Sequence, residues 1–208
     1  RLAQNGRSVL IFDNLSRVGV HRNIEWLLKT YPTQVQFVRG DVRDAYHVKD
    51  VVSYANAVFH LAAQVAVTSS LSDPIHDFEV NARGTLNVLE AIRTQNNPPF
   101  LLYTSTNKVL GGLEDLTLRK ANQRYEPEDK QIRTHGLSEE RGIEFCSPYG
   151  CSKGAADQYV LDYSRCFGIP SVVFRMSCIY GPHQWGNEDQ GWVAHFVRRA
   201  LAQMPITF

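Results

Sequence analysis

The sequence predicts an α/β fold, a doubly wound arrangement in which helices cover both faces of a parallel sheet. Short continuous apolar runs alternate along the chain with longer segments whose apolar residues recur at helical spacing. Runs without polar alternation are typical of strands buried on both faces. The alternation of strands and helices predicts parallel pairing. The predicted strands cover residues 8–12, 35–38, 57–61, 100–103 and 171–176.

The helix boundaries follow from residues that start or stop helices. Pro74 suits the first turn of a helix, Asp44 can cap another, and Gly168 follows the end of a third. Residues 113–144 are charged and irregular, so we expect a surface excursion of unassigned role. The predicted helices cover residues 23–31, 45–54, 74–94, 148–167 and 191–202; residues 1–6 end an earlier helix, and residues 206–208 begin a further element.

Composition excludes several classes of function. The chain has 208 residues and a formal net charge of +1, so it has room for one domain, or one and a part, and no basic excess for binding nucleic acid. No apolar run approaches the roughly 18 residues of a membrane span. We expect a cytoplasmic protein with reduced thiols and no metal site, because its cysteines form no close pairs: Cys146, Cys151, Cys166 and Cys178.

Polar and small residues follow the strands at the edge where α/β sheets bind ligands. Asp13 and Asn14 follow the first strand. A carboxylate there can accept hydrogen bonds from the ribose hydroxyls of a nucleotide and would repel an additional phosphate, although an ordinary turn is the better explanation of the pair taken alone. Ala62 and Ala63 would allow either a cofactor or a helix to approach the backbone.

Hydroxyl and amide side chains occupy two further positions of interest. Thr104, Ser105 and Thr106 follow the fourth predicted strand, where α/β proteins carry their chemistry. Asn81 lies inside the predicted helix 74–94, where asparagine is unfavourable. It either faces solvent or holds a neighbouring loop by a hydrogen bond.

The segment S-P-Y-G-C-S-K at 147–153 predicts the start of a helix with a reactive pair on one face. Ser147 can cap the helix and Pro148 suits its first position. Tyr149 and Lys153 are then one turn apart on the same side. An ammonium that close lowers the pKa of a phenol and makes it a usable base, so we expect this tuning. A tyrosine and a lysine on a half-buried helix are the simpler alternative.

Seven motifs in order connect the chain to a known family. They are F-D-N-L-S-R at 12–17, G-D-V-R-D at 40–44, H-L-A-A at 60–63, N-A-R-G-T at 81–85, T-S-T at 104–106, Y-x-x-x-K at 149–153, and F-R to Y-G-P at 174–182. The chain thereby resembles the extended short-chain dehydrogenase/reductase family of nucleotide-sugar epimerases and dehydratases. The resemblance implies a Rossmann-like domain that holds NAD at the strand ends.

The family resemblance also implies a role for each cofactor contact. Asp13 and Asn14 would hold the adenosine ribose, and Asp41 and Val42 would flank the adenine. Lys153 would bind the nicotinamide ribose as well as tune the tyrosine. The implied contacts are Asp13, Asn14, Asp41, Val42, Leu61, Ala62, Ala63, Asn81, Thr104, Tyr149, Lys153 and Ser177.

Three segments are similar to a narrower branch that epimerises CDP-linked sugars at C2: S-T-N-K-V at 105–109, S-P-Y-G-C-S-K-G-A-A-D-Q at 147–158, and D-Q-G-W-V at 189–193. This likeness implies that hydride passes from sugar C2 to NAD and returns to the other face. Thr106 would bind the reacting hydroxyl and Tyr149 would take its proton, with Lys153 as the third catalytic residue. The implied substrate contacts are Thr106, Asn107, Lys108, Cys178 and Gln190.

Two other classes of function stay open. A 4-epimerase or a 4,6-dehydratase would use the same cofactor, but the family's dehydratases carry Asp-Glu directly after the catalytic threonine. Asn107 and Lys108 stand there in this chain, which argues against dehydration. A non-catalytic NAD-binding relative is possible on the same fold, although it would not need Thr106, Tyr149 and Lys153 together.

The chain departs from the family pattern at both ends and at two positions. It lacks the glycine-rich phosphate loop, so we expect an inactive fragment in which residues 1–177 form an NAD-binding domain and residues 178–208 begin a substrate lobe. Leu110 replaces a usual tyrosine, and Cys178 replaces a frequent asparagine on the substrate side. By analogy with the family, we expect a homo-oligomer formed through helices 74–94 and 148–167.

Overall fold

The computed structural model describes residues 1–207 and confirms the α/β architecture. The strands are β1 (Val9–Asp13), β2 (Val35–Arg39), β3 (Ala57–His60), β4 (Phe100–Thr106), β5 (Leu118–Lys120), β6 (Tyr125–Pro127) and β7 (Ser171–Met176). The α-helices are α1 (Val20–Thr30), α2 (Ala45–Val52), α3 (Val67–Ser72), α4 (Pro74–Phe78), α5 (Gly84–Arg93), α6 (Lys130–His135), α7 (Pro148–Phe167) and α8 (Trp192–Leu201). Phe208, the last residue of the element expected at 206–208, lies outside the described residues.

The large strands pair in parallel, as predicted, and form two groups. β1 pairs with β2, and β4 lies between β3 and β7. Within residues 1–207, no strand pairing joins the two groups. The carboxyl ends of β1, β2 and β3 nevertheless open onto one common cleft. That shared edge is where the polar residues at the strand ends meet.

The core lies on one face of the β3–β4–β7 group. Leu101 and Tyr103 of β4 are fully buried there, against α2, α5 and α7. Burying this apolar surface is the main stabilising contribution to the fold and fixes α7 against β4. The core consists of Val48, Val52, Val88, Leu89, Ala91, Ile92, Leu101, Tyr103, Ala156, Val160 and Ile169.

Burial of the strands on both faces, which their apolar runs predicted, is found only in part. Leu10 of β1 is 37% exposed, and Phe59 of β3 and Phe174 of β7 are each 47% exposed. Among the described residues, each of these strands has a paired neighbour on one side only. An apolar run therefore identified each strand but did not predict how much of its surface other elements would bury.

Several boundaries differ from the predictions. The helix predicted at 74–94 is present as α4, a π-helical segment (Glu79–Arg83) and α5. α1 begins at Val20 rather than residue 23, and residues 113–144 contain a β5–β6 hairpin and α6. α3 was not predicted, because V-T-S-S-L-S has no helical apolar repeat. No helix within the described part of the chain is long and apolar enough to cross a bilayer.

A buried histidine ties β3 to α5. His60 is 4% exposed and its Nε2 lies 2.9 Å from the hydroxyl of Thr85. Thr85 donates its only hydroxyl hydrogen to the carbonyl of Asn81 at 2.6 Å, so Nε2 of His60 carries the hydrogen and donates to Thr85. Burial, and secondarily the charge of Lys153, lowers the pKa of His60 to about 3.

We predict that His60 makes the fold sensitive to acid. The unfolded chain binds a proton on this residue below about pH 6.5, whereas the folded chain resists it until about pH 3, so the contribution to stability is lost as the pH falls. Between pH 7.5 and pH 5 the loss is about 2 kcal/mol. Urea unfolding at both pH values should show a loss about 2 kcal/mol larger in the wild type than in H60Q, which retains a donor for Thr85. Equal losses in the two proteins would contradict the assignment.

Candidate active site

Helix α7 begins and ends at the predicted residues. The hydroxyl of Ser147 accepts a hydrogen bond from the amide of Gly150 at 3.1 Å, and Pro148 occupies the first turn. Gly168 ends the helix with a φ of 68°, a left-handed conformation that glycine adopts without strain. These caps fix the start of α7 at the carboxyl end of β4, so Tyr149 and Lys153 face that strand.

Lys153 is buried at the end of β4. It is 3% exposed, its Nζ donates to the carbonyl of Thr104 at 2.7 Å, and Nζ lies 4.3 Å from the centre of the Tyr103 ring. Burial lowers the pKa of Lys153 to about 7, while the nearby charges of Asp157 and Asp77 act in the opposite direction. An amine with this pKa changes protonation near neutral pH.

The hydroxyls of Thr106 and Tyr149 form the second part of the site. Burial raises the pKa of Tyr149 most strongly, the neighbouring Thr106 side chain lowers it, and the charge of Asp77 adds to the rise. Thr106 also accepts a hydrogen bond from the amide of Lys108 at 3.2 Å. The Thr106 hydroxyl donates in turn to the side-chain oxygen of Asn107 over a long 3.5 Å.

The expected tuning of Tyr149 by Lys153 is wrong in this structure. The pKa of Tyr149 is raised, not lowered, and Lys153 is not among the groups that shift it. Two physical causes explain the difference: the phenol is desolvated, and the Lys153 amine points at the carbonyl of Thr104. Spacing along the helix predicted the shared face but not the partner that the amine selects.

A buried ion pair fixes the outer side of α7. Asp157 is fully buried, and Arg175 of β7 donates to both of its carboxylate oxygens at 2.9 Å. This bidentate pair fixes α7 to β7, and the Asp157 carboxylate also favours the charged form of Lys153. Neither residue was predicted as part of the site. Their spacing along the chain gives no signal that they meet.

A second buried polar network lies on the other side of the catalytic helix. Asp77 of α4 and Asn81 of the π-helical segment are 0% and 1% exposed. Ser152, between the two reactive residues of α7, donates to Asp77. Asn81 accepts from the backbone amide of Gln64 at 2.9 Å and donates to the carbonyl of the same residue at 3.1 Å. Asn81 thus holds a loop, one of the two alternatives that the sequence left open.

The expected direct contact of Asn81 with a cofactor needs correction. Its side chain is buried and its hydrogen-bonding groups are directed to Gln64, Asp77 and Ser152. Asn81 can act on a ligand only through the loop that it holds. Asparagine is unfavourable in an ordinary helix. It is accommodated here because its side chain supplies the hydrogen-bond partners for the backbone amide and carbonyl of Gln64 in the loop.

A cleft of about 860 Å³ lies at the carboxyl ends of β1, β2 and β3; Thr106, Tyr149 and Lys153 are not among its lining residues. It is large enough for a dinucleotide-sized ligand, since small-molecule sites commonly measure about 300–1,000 Å³. Many of the predicted cofactor contacts line it. The predicted residues that line the cleft are Asp13, Asn14, Asp41, Val42, Leu61, Ala62, Ala63 and Gln190.

Hydrogen bonds organise the acidic end of the cleft. Asp13 accepts from the amide of Leu15 at 2.7 Å, the turn that was the alternative interpretation, and its remaining lone pairs stay available. Asn14 donates to Asp41 at 2.9 Å. Arg43 donates to both oxygens of Asp41, which holds the pKa of Asp41 well below its usual range. The pair Asp41–Arg43 therefore stays ionised, and Asp13 carries the less compensated carboxylate.

The remaining predicted contacts lie apart from the cleft or are exposed. Ser177 and Cys178 follow β7 at exposed positions. Asn107 and Lys108 are also exposed, in the 3₁₀ turn after Thr106. Thr104 is half-buried, and its hydroxyl donates to the carbonyl of His60 at 3.2 Å. None of these residues lines the cleft.

Besides Asp157 and Arg175, five residues that organise the site or line the cleft were not predicted from the sequence. Arg43 follows Asp41 by two residues within a motif that was noted, so its role could have been found. The other contacts join distant segments, and no local pattern shows them. The missed residues are Arg43, Gln64, Asp77, Ser152 and Trp185, the last of which lines the cleft and donates to Asn23 at 3.0 Å.

Known proteins are similar to this chain in both sequence and fold. A CDP-paratose 2-epimerase of Salmonella typhi is 46% identical over 198 residues, covering 94% of this chain and 57% of that protein. A dTDP-glucose 4,6-dehydratase of Mycolicibacterium smegmatis is 31% identical, covering 85% of this chain and 47% of the other. The crystal structure of UDP-glucose 4-epimerase of Thermus thermophilus in complex with NAD superposes with a TM-score of 0.78 at 32% identity, covering all of this chain and 59% of that one.

These relatives differ in reaction but share one fold, and this chain spans about half to three fifths of their lengths. The family model described as the NAD dependent epimerase/dehydratase family matches residues 1–208. Parallel strands, a helix carrying Tyr149 and Lys153, and a cleft at the strand ends agree with that match. The chain belongs to the NAD-dependent epimerase/dehydratase family.

Proposed function

We propose that the protein is an NAD-dependent nucleotide-sugar epimerase that converts CDP-paratose to CDP-tyvelose by inverting sugar C2. The observation that carries the proposal is the placement of Thr106 beside Tyr149, close enough to affect the pKa of its phenol, with the buried amine of Lys153 one turn further along α7. The choice of sugar is supported by the 46% identity to a CDP-paratose 2-epimerase.

The residues around the cleft fit NAD. Asp13 offers carboxylate lone pairs at the end of β1, as ribose hydroxyls require, and its charge would oppose the extra phosphate of NADP. The side chains of Ala62 and Ala63 are small, so a dinucleotide can approach the backbone at these positions in the cleft. The cleft volume, about 860 Å³, accommodates a molecule of this size. When bound, NAD supplies an acceptor for hydride from the sugar carbon and returns it.

The protein's own groups hold the sugar hydroxyl and move its proton. The hydroxyl of Thr106 donates to the side-chain oxygen of Asn107 over a long 3.5 Å, a weak bond that it would exchange for one to the sugar oxygen. Tyr149, as the phenolate, takes the proton from that oxygen while C2 is oxidised to a ketone. The raised pKa of Tyr149 makes its phenolate a strong base, and the phenol that forms returns the same proton to the sugar oxygen when the ketone is reduced.

Dehydration requires an acid that this site does not offer next to the threonine. Asn107 and Lys108 follow Thr106 at exposed positions, and neither can protonate a leaving hydroxyl as a carboxylic acid would. The second candidate is therefore a nucleotide-sugar 4-epimerase, which the 32% identity to the Thermus thermophilus enzyme favours. The two epimerisations differ in which sugar hydroxyl meets Thr106.

Residues 1–177 bind NAD, and residues 178–208 begin the substrate lobe. Two copies associate through the faces of α4–α5 and α7, because α7 carries an aromatic stripe in which Tyr159 and Phe167 are 45% and 49% exposed and both rings contact Tyr163. Exposed aromatic surface of this kind is typical of interfaces.

The substrate is tested with the full-length protein. Incubation with CDP-paratose, and separately with UDP-glucose, should yield CDP-tyvelose from the first and no epimer from the second. ¹H NMR of the sugar ring protons identifies the inverted carbon. Inversion of UDP-glucose at C4 without reaction of CDP-paratose would contradict the proposed reaction and favour the 4-epimerase.

We predict that Tyr149→Phe abolishes most turnover without releasing NAD. Loss of the proton acceptor should lower kcat by about 10²–10⁴-fold, the usual range for an acid–base group. Bound NAD is measured after denaturing the purified protein, and Y46F serves as the control, since Tyr46 is 89% exposed on α2. Turnover within twofold of wild type would exclude Tyr149 as the base.

A further inference from the structure

The buried carboxylate of Asp77 has no role in the proposed chemistry. It is 0% exposed, and none of the ion pairs between described residues includes it. Burying a carboxylate without an ion-pair partner is costly unless hydrogen bonds compensate. Burial raises the pKa of Asp77, while hydrogen bonds from Ser152 and Asn81 act against the rise. This arrangement is unfavourable for a group that only fills space.

The donors around Asp77 come from three different segments. The side chain of Gln64 donates to Oδ1 at 3.0 Å, and Asn81 donates to the same oxygen at 3.2 Å. Ser152 donates to Oδ2. Gln64 belongs to the loop after β3, whose neighbours Ala62 and Ala63 line the cleft. Asp77 therefore joins the wall of the cofactor cleft to the first turns of α7.

Ser152 is placed to transmit this link to the reactive residues. It precedes Lys153 directly and follows Tyr149 by three residues, and its Oγ lies 3.2 Å from the carbonyl of Tyr149. It also accepts from Asn81 at 3.0 Å, so its hydroxyl is satisfied on both sides. A shift of Ser152 would move Tyr149 relative to Thr106 and Lys153 relative to Thr104.

We propose that Asp77 and Ser152 are positioning residues that set the catalytic helix α7 against the loop 61–66 of the cofactor cleft. The proposal rests on the proposed function for its catalytic consequence. Asp77 and Ser152 touch neither reacting atoms nor the cleft; they act through Tyr149, Lys153 and Gln64. Misplacement of reacting groups by about 1 Å can lower the rate by roughly 10²-fold.

The test compares four variants of the full-length, NAD-loaded protein. Ser152→Ala cuts the link to α7 but leaves Gln64 and Asn81 on Asp77, so kcat should fall about tenfold with KM and bound NAD unchanged. D77L should lower both kcat and NAD retention, because it also frees Gln64. D77N should recover most of kcat, since its amide can accept from Gln64 and donate to Ser152. Ser164→Ala, about three turns further along α7, is the control for the change in helix propensity.

Hydrogen–deuterium exchange separates this proposal from the proposed function. Amides at 148–154 should exchange faster in S152A than in wild type and S164A, while those at 61–66 should change only in D77L. Unchanged exchange at 148–154 in S152A, or equal kcat in S152A and S164A, overturns the positioning role. A wild type that turns over no nucleotide sugar would overturn the proposed function, and the exchange data would still decide whether Asp77 and Ser152 set α7.

Discussion

The burial of Lys153 against the end of β4 is the interaction on which the rest of the site depends. Its amine is desolvated and donates to the carbonyl of Thr104, which ties α7 to the end of β4. In this arrangement the side chain of Tyr149 lies close enough to Thr106 for the threonine to affect its pKa. Desolvation of Lys153 costs free energy, which the buried core around Leu101 and Tyr103 offsets. The geometry of the active site is therefore a consequence of how the core is packed.

Two carboxylates adjust the position and charge of this amine from opposite sides. Asp157 is paired with Arg175 of β7, whereas Asp77 is held by neutral donors. The first arrangement is an ordinary buried ion pair. The second leaves a carboxylate compensated by hydrogen bonds alone, and it reaches the cleft through Gln64. The catalytic helix and the cofactor cleft are thus parts of one hydrogen-bonded unit.

Much of the fold could be predicted because its signals are local. Continuous apolar runs located the five large strands, and Ser147, Pro148 and Gly168 located α7 to the residue. α3 and the β5–β6 hairpin were missed, because short polar segments have no periodic pattern. The interruption of the helix at 79–83 was missed as well, since only the asparagine at 81 hinted at an irregular helix.

The types of residue in the site could be predicted from the sequence, but their pKa shifts and charge partners could not. Chain order placed Asp13, Asp41 and Ala62 at one edge, and they do line one cleft. The direction of the Tyr149 pKa shift was predicted wrongly, because it depends on burial and on where the Lys153 amine points. The partners of Asp77 and Asp157 lie far away in sequence, so no spacing rule reveals them.

The central claim is that the hydroxyl pair of Thr106 and Tyr149 serves oxidation and reduction of one sugar carbon. Its most direct test is the reaction of CDP-paratose carrying deuterium at C2, in ordinary water, with the full-length protein. The account predicts that CDP-tyvelose retains the deuterium at C2, as ²H NMR and mass spectrometry would show. Replacement of the deuterium by solvent hydrogen would contradict it, because the carbon would then have lost a proton instead of a hydride.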